Sequence, residues 1–292
     1  MTSPPPDAPP DAAPDTVLRA FTEDYAFRVV AARTTGMVKQ AIAAQQAEGE
    51  TARLFADLLT GTVLVRETMA PQLRVQGILR DARGKGRLVA DAHPDGGTRG
   101  LVQAVSPGAA VELGEGSMLE MMRTLPKGTT HQGVVELPPG GGISGALMAY
   151  MQQSEQIVSV IDVGTRLHDG VLAAAGGFIV QLLPDAQGTA IERMANQLEG
   201  SRALAGLLVN EGPLLELIGQ LIGEPVIELD ERPLSFACRC DELRLIAALS
   251  TLPRADLEEL LRDQQLIEIG CDFCGKEYRI PPEKLRGLLQ SS

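Results

Sequence analysis

Cys238-Arg239-Cys240 and Cys271-Asp272-Phe273-Cys274, with thirty residues between them, hold all four cysteines of this 292-residue chain. Two close cysteine pairs that a fold brings together make a tetrahedral four-thiolate site, the arrangement that a structural zinc ion requires. The same four thiols are also two neighbouring redox pairs. Residues 235–292 are therefore predicted to form a zinc-binding domain, with Cys238, Cys240, Cys271 and Cys274 as the metal ligands.

The second pair has the form of a zinc knuckle, because Gly275 follows Cys274 directly. A tight turn of this form aims backbone N–H groups at the two sulfurs, and glycine takes a positive φ without steric cost. The size of the segment also favours a metal site, since about 60 residues obtain only ~3–5 kcal/mol of stability from their apolar core. A structural zinc contributes roughly 10–16 kcal/mol to such modules. We expect this domain to fold with the metal and to unfold without it.

Other chemistries of clustered cysteines fit the sequence poorly. A catalytic zinc usually has histidine or a carboxylate among its ligands, and His93, His131 and His168 all lie far upstream. A haem attachment site needs histidine after the C-x-x-C pair, where this chain has Gly275. No β-α-β pattern surrounds the pair, as a thioredoxin-like site requires. The spacing leaves open a purely structural zinc ribbon and a redox-sensing zinc site.

Composition and charge argue against several classes of protein. The formal net charge is −12, which argues against a nucleic-acid binder with a basic face. Residues 1–15 are rich in Pro, Ala and Asp and lack the basic and apolar stretches of a signal peptide, so we predict a disordered tail and a cytoplasmic location. The apolar stretch 171–183 is too short to span a membrane. No G-x-x-x-x-G-K-[ST] loop occurs, so use of ATP is not expected.

The pattern of residues 16–186 predicts an α+β core domain with antiparallel sheets. Strand-like runs are expected at 27–32, 72–79, 87–92, 98–104, 133–137, 157–165 and 177–183, and helices at 51–70 and 146–155. Strands and helices do not alternate regularly, which favours the α+β class over a parallel α/β fold. In the cysteine domain we expect helices at 241–249 and 254–263 and strands at 266–269 and 277–280.

Residues 187–234 have the pattern of an amphipathic helical linker. Their apolar positions recur at helical spacing, and Pro213 is well placed to start a helix. Two interpretations remain: ordinary helices that cover a core, and a hinge segment whose apolar stripe can be exposed. If the segment is a hinge whose apolar stripe can be exposed, the candidate client-binding residues are Leu204, Leu207, Leu208, Leu214, Leu215, Ile218, Leu221 and Ile222.

The cysteine pattern, together with Phe236-Ala237 before it and Tyr278 after it, resembles the family of redox-regulated heat-shock chaperonins of about thirty-three kilodaltons. Further segments are similar to that family's landmarks: Thr98-Arg99-Gly100, Gln132–Val135, Tyr150–Gln156 and Ala175–Pro184. The resemblance covers roughly residues 16–290. The chain departs from the family at the extra tail 1–15, at His131, at Asp241 and near Pro71, and none of these departures removes a zinc ligand.

The resemblance implies a non-enzymatic holdase that binds unfolding proteins without ATP. It implies one zinc ion and an inactive reduced form, with activation by disulfides Cys238–Cys240 and Cys271–Cys274 under oxidative stress. It also implies dimerisation on activation, and no nucleic-acid or membrane partner. Two rival functions are a constitutive zinc-ribbon interaction module, with RNA as one candidate partner, and a thiol–disulfide oxidoreductase. The near-neutral cysteine domain lacks the basic face that the first rival needs.

Overall fold

The chain divides into two units, Met1–Phe236 and Ala237–Ser292. The computed structural model describes residues 13–84, 86–104, 110–125, 128–168, 171–184, 186, 189–198, 208, 212–262 and 266–285. The second unit begins two residues after the predicted start of the cysteine domain at 235. The other domain limits drawn from the sequence stay predictions.

A five-stranded antiparallel sheet forms one layer of the first unit. Its strands are β1 (Thr16–Thr22), β2 (Phe27–Arg33), β8 (Ser159–His168), β9 (Val171–Leu182) and β10 (Val226–Pro233). They lie in the order β10-β1-β2-β9-β8, so β10 is an edge strand although it comes last in the sequence. Strand β1 pairs with β2 on one side and with β10 on the other.

A six-stranded sheet forms a second layer of the same unit. Its strands are β3 (Arg74–Arg80), β4 (Gly86–Ala92), β5 (Gly97–Ala104), β6 (Met118–Thr124), β7 (Thr130–Glu136) and β11 (Ser235–Phe236). The order is β11-β5-β4-β3-β6-β7, and every neighbouring pair is antiparallel except β11 with β5.

Five helices accompany the two sheets in the described part of the first unit. They are α1 (Thr35–Gln45), α2 (Gly49–Thr68), α3 (Gly142–Tyr150), α4 (Ala190–Leu198) and α5 (Leu214–Ile222), and α3 continues as a π-helical turn, Met151–Glu155. Helix α2 contacts strands of both sheets and is buried along most of its length. Among the described residues, no helix is both long and apolar enough to cross a membrane.

Gly100 allows α2 to approach the six-stranded sheet closely. A Cβ atom at this position would lie 2.7 Å from the carbonyl oxygen of Val89 and would collide with the ring of Phe55 on α2. Any larger residue would therefore push the central helix away from the sheet. The Arg-Gly landmark of the sequence has this packing requirement as its physical basis.

Two separate apolar clusters flank the five-stranded sheet. The larger one fills the space between the two sheets and includes Phe55 and Leu64 of α2. The smaller one lies on the opposite face, where α4 and α5 pack against Leu18, Val29 and Phe178. Because both faces are covered, the strands of this sheet bury successive residues rather than alternate ones.

The predicted α+β class with antiparallel sheets is confirmed. Two details differ from the expectation. Residues 226–233 of the predicted helical linker form the strand β10, because they pair with β1 from Val226 to Pro233 with a single register shift at Leu229. Asp15, placed in the disordered tail, is fixed: its carboxylate accepts N–H groups of Gly36 and Met37, and its carbonyl accepts the N–H of Leu234 at 2.9 Å. Residues 1–12 lie outside the described residues.

Asp57 makes the stability of the first unit depend on pH. This α2 side chain is 5% exposed, receives a hydrogen bond from Arg53 at 2.9 Å, and leaves its Oδ1 without a partner in the described part of the chain. Burial raises its pKa from 3.8 to about 7. Since the unfolded chain ionises first, stability falls as pH rises from about 4 to about 7, by at most about 4 kcal/mol at 1.36 kcal/mol per pKa unit.

We therefore expect Asp57→Asn to raise the melting temperature relative to the parent protein more at pH 8 than at pH 4. Thermal unfolding followed by circular dichroism at both pH values measures this difference. Glu50→Gln is the control, because Glu50 also pairs with Arg53 but is half exposed and has a lowered pKa. An Asp57→Asn protein that gains nothing at pH 8 would contradict the assignment.

Candidate metal centre

The second unit is small, and the residues of it that the structure describes form little apolar core. It contains α6 (Glu242–Leu249), α7 (Arg254–Arg262) and an antiparallel hairpin of β12 (Ile267–Gly270) and β13 (Glu277–Ile280). Its core cluster consists of Leu261, Ile280 and Leu285, with partly buried neighbours around them. Helix α6 buries none of its residues. Packing of this extent is too slight to hold about 50 residues in one fold.

The first cysteine pair lies at the start of the unit, in a segment without regular secondary structure just before α6. Asp241 follows Cys240 and caps this helix, because its carboxylate accepts the backbone N–H of Arg244 at 2.8 Å. The cap fixes the direction in which the chain leaves the pair. Asp241, which departs from the family pattern, thus has a structural role of its own.

The second cysteine pair occupies the turn between β12 and β13. The backbone N–H of Gly275 bonds to the carbonyl of Cys271 at 2.8 Å, and the N–H of Cys271 bonds to the carbonyl of Lys276 at 2.9 Å. Gly275 has a φ of +70°, the left-handed conformation that glycine adopts freely. Backbone N–H groups of Phe273 and Cys274 also face the Cys271 sulfur. The predicted knuckle geometry is present.

The four sulfurs lie within 4.8 Å of one another. Cys238 Sγ is 3.7 Å from Cys271 Sγ, and Cys240 Sγ is 3.4 Å from Cys274 Sγ. In a tetrahedral site with metal–sulfur bonds of about 2.3 Å, sulfurs stand about 3.8 Å apart, so this set fits one zinc ion. None of the four forms a disulfide. Four thiolates around one ion leave no open position, which is typical of a structural rather than a catalytic zinc.

Tyr278 is a neighbour of the thiol cluster. Its hydroxyl lies 3.2 Å from Cys240 Sγ and 3.0 Å from the carbonyl oxygen of Cys240. Burial opposes ionisation of Cys240, but hydrogen bonds from Tyr278 and the other thiols lower its pKa to about 7. Burial raises the pKa of Cys271, and it raises that of Cys274 to about 12. Cys240 is therefore a thiol that ionises more readily than an ordinary cysteine, and the thiolate is the form that binds metal ions and reacts with oxidants.

Most of the candidate client-binding residues in the described part of the chain are covered. Leu214, Ile218, Leu221 and Ile222 are buried and Leu215 is partly buried, all against the five-stranded sheet. Leu208 is half buried, and Leu204 and Leu207 lie outside the described residues. The residues that α4 and α5 cover were not identified from the sequence: Leu18, Ala20, Ala26, Phe27, Val29, Ala31, Phe178 and Val180. A run such as Phe27–Arg33, apolar on both faces, is the signal that could have indicated them.

The fold and the thiol cluster together define a two-unit α+β protein with a cysteine-ligated candidate metal centre. The model of the family described as Hsp33 protein matches residues 15–281. The chain belongs to the Hsp33 family, as the resemblance predicted. Membership of this family supports a chaperone function.

Relatives and a solved structure agree with this assignment. The chain is 26% identical to the 33 kDa chaperonin of Streptococcus sanguinis, over 94% of this chain and 98% of the relative. It is 29% identical to the 33 kDa chaperonin of Thermus thermophilus, over 94% of this chain and 86% of the relative. The crystal structure of the Hsp33 homologue from Thermotoga maritima superposes with a TM-score of 0.81 at 22% identity, covering 95% of this chain and 98% of that one. This last likeness shows the fold.

Proposed function

We propose that this protein is a redox-regulated, ATP-independent holdase, inactive when its four thiolates hold zinc and active when they are oxidised. The observation that carries the proposal is the closed set of four thiols, all within 4.8 Å of one another, in a unit whose described residues form only a small apolar cluster. A fold that depends on these side chains loses its main stabilisation when they react.

Cys238, Cys240, Cys271 and Cys274 would bind the ion as thiolates. When bound, zinc supplies cross-linking of the two pairs and no catalysis, because the four sulfurs fill its coordination shell. Tyr278 would keep its hydrogen bond to Cys240 Sγ and so reduce the charge on that sulfur. The short turn at Gly275 would keep the two sulfurs of the second pair close together in the folded unit.

Oxidation by a peroxide would remove the ligands. Each disulfide forms from two of these thiolates and one hydrogen peroxide, which takes up two protons from solvent and is reduced to two water molecules, so two disulfides consume two peroxides. The family resemblance gives the pairs as Cys238–Cys240 and Cys271–Cys274, and each pair lies within one short stretch of chain. A disulfide sulfur no longer carries the charge that binds the metal. We expect the second unit to unfold at that point.

The surface that would bind clients is the one that α5 covers in the first unit. Leu217 and Ile218 pack on the sheet face formed by Leu18, Val29 and Phe178. Removal of the nine-residue helix would expose a contiguous apolar area, and such areas bind unfolded chains. The remaining sheet stays supported from behind by α2. Unfolded proteins are thus the proposed partners.

The proposal includes a cytoplasmic location, since cysteines that are not joined in disulfides persist in reducing compartments. It also includes dimerisation on activation and no role for ATP, nucleic acid or membranes.

The test is peroxide treatment at elevated temperature. We expect one zinc per chain before oxidation, loss of four free thiols, release of the zinc, and suppression of the aggregation of a thermally unfolding client. Zinc is followed with a chromogenic chelator, thiols by alkylation, and the disulfide pairs by peptide mapping. A reduced, zinc-loaded protein that suppresses aggregation equally well would indicate a constitutive interaction module. Catalytic turnover of small disulfides would indicate an oxidoreductase.

A further inference from the structure

We infer that a chain of ion pairs between Arg19 and Arg66 holds the edge strand β10 on the sheet and so sets the threshold at which oxidation of the cysteine unit releases α5. The inference rests on the proposed function and concerns its regulation. It starts from connectivity: the only covalent route from Cys238 back to α5 passes through β11 and β10. Only Gly223, Glu224 and Pro225 lie between α5 and β10.

Strand β10 has little apolar packing to hold it. None of its eight residues is buried, and Ile227 and Leu229 are 41% and 52% exposed. It pairs with one neighbour, β1, and a register shift opposite Arg19 and Ala20 interrupts that pairing. Edge strands of this kind detach at low cost, because few buried contacts are lost.

Five charged side chains of alternating sign compensate for the missing apolar contacts. Arg19 of β1 binds Asp230 of β10 through two hydrogen bonds of 2.5 and 2.8 Å. Arg232 lies 3.2 Å from the same Asp230 and also pairs with Glu67 of α2. Glu67 in turn binds Arg66 at 2.8 Å. We call this set the charge chain.

The inner end of the charge chain is anchored in the core. The Arg66 and Glu67 side chains are each 1% exposed, and Arg66 donates to the carbonyl oxygens of Leu73 and Pro71. The outer end, at Arg19 and Asp230, is about a quarter to a third exposed. The chain therefore ties a weakly packed strand to the central helix, and its outer pairs can open without disturbing the buried ones.

Release of β10 would directly weaken the packing of α5 on the five-stranded sheet. Val226, its first residue, packs against the same cluster as α5. Helix α5 has only nine residues, and helices of that length are marginal without tertiary contacts. Once β10 leaves β1, α5 loses its C-terminal attachment and is free to leave the sheet. The order of events would be cysteine unit, then β10, then α5.

The test compares Asp230→Asn with Glu231→Gln, because both neutralise one carboxylate on β10 and only Asp230 belongs to the charge chain. Hydrogen exchange by mass spectrometry is measured on the full-length reduced protein, on EDTA-treated protein and on peroxide-treated protein. We expect peptides covering 226–233 in Asp230→Asn to exchange about five-fold faster before any treatment, equivalent to about 1 kcal/mol. We expect Glu231→Gln to match the parent protein, and zinc content to be unchanged in both.

The same samples give the functional readout. Asp230→Asn should reach half-maximal client protection at about five-fold less peroxide than Glu231→Gln. The inference is overturned if α5 peptides lose protection in the parent protein while 226–233 stay protected, or if both variants behave alike. These outcomes leave the proposed function standing. A parent protein that never suppresses aggregation after oxidation overturns the proposed function instead, and the inference with it.

Discussion

Replacing Ile218 by aspartate is expected to produce a protein that suppresses client aggregation without any oxidant. Ile218 is 0% exposed and sits in the middle of the α5 face that packs on the five-stranded sheet. The substitution loses about 2 kcal/mol of side-chain burial and adds at least ~2 kcal/mol for desolvating a carboxylate. The packing of a nine-residue helix cannot offset a loss of this size, so α5 should leave the sheet.

The measurements are binding of an environment-sensitive apolar dye and light scattering of a thermally unfolding client, both with reduced, zinc-loaded protein. Gln220→Asp is the matched control, since Gln220 lies on the exposed side of the same helix. Zinc content should stay at the parent level in both variants. If Ile218→Asp binds the dye but protects no client, the surface under α5 is not the client site.

Replacing Cys271 by serine is expected to have the largest effect on metal binding. Cys271 is the most buried of the four ligands, and the N–H groups of the knuckle face its sulfur. Changes to residues that merely surround a metal site weaken affinity by about 10–100-fold, so loss of a ligand should weaken it by at least about 100-fold. The second unit depends on that affinity, because its apolar core is so small.

Competition with a chelator of known affinity measures the loss, and hydrogen exchange across 237–285 measures the unfolding. Asp272→Asn provides the control, because it changes the charge of the same turn and leaves all four sulfurs in place. Undiminished affinity in Cys271→Ser would mean that three thiols suffice and that the closed four-thiolate site is wrong.

The candidate metal centre could be predicted almost completely from the sequence. Ligand type and spacing are local properties, and the Gly275 turn needs only the residues 271–275 to specify it. The two helices and two strands of the cysteine unit also follow from short-range patterns. The part played by Tyr278 required the structure, since its hydrogen bond to Cys240 joins residues 38 positions apart.

The packing of α5 on the five-stranded sheet could be predicted only in part. The periodicity of α5 indicates an amphipathic helix, but its partner surface is formed by β1, β2 and β9, which are buried on both faces and show no regular alternation. Strand β10 was expected to be helical linker because its charged residues (Glu228 to Arg232) carry no strand pattern. Its strand character comes from pairing with β1, some 211 positions away, as in the Arg19–Asp230 bond.

The separation of the two apolar clusters has a consequence for reversibility. Leu18, Val29 and Phe178 face α5, while Val17, Val30 and Ile179 of the same strands face α2. A sheet that divides its side chains in this way can lose one neighbour and keep the other. In the proposed cycle, an activated molecule would keep its five-stranded sheet folded. Helix α5 and a client would then compete for the same face of that sheet. Reduction of the disulfides back to thiols would then favour binding of α5. The same molecule could return to the inactive form without new protein synthesis.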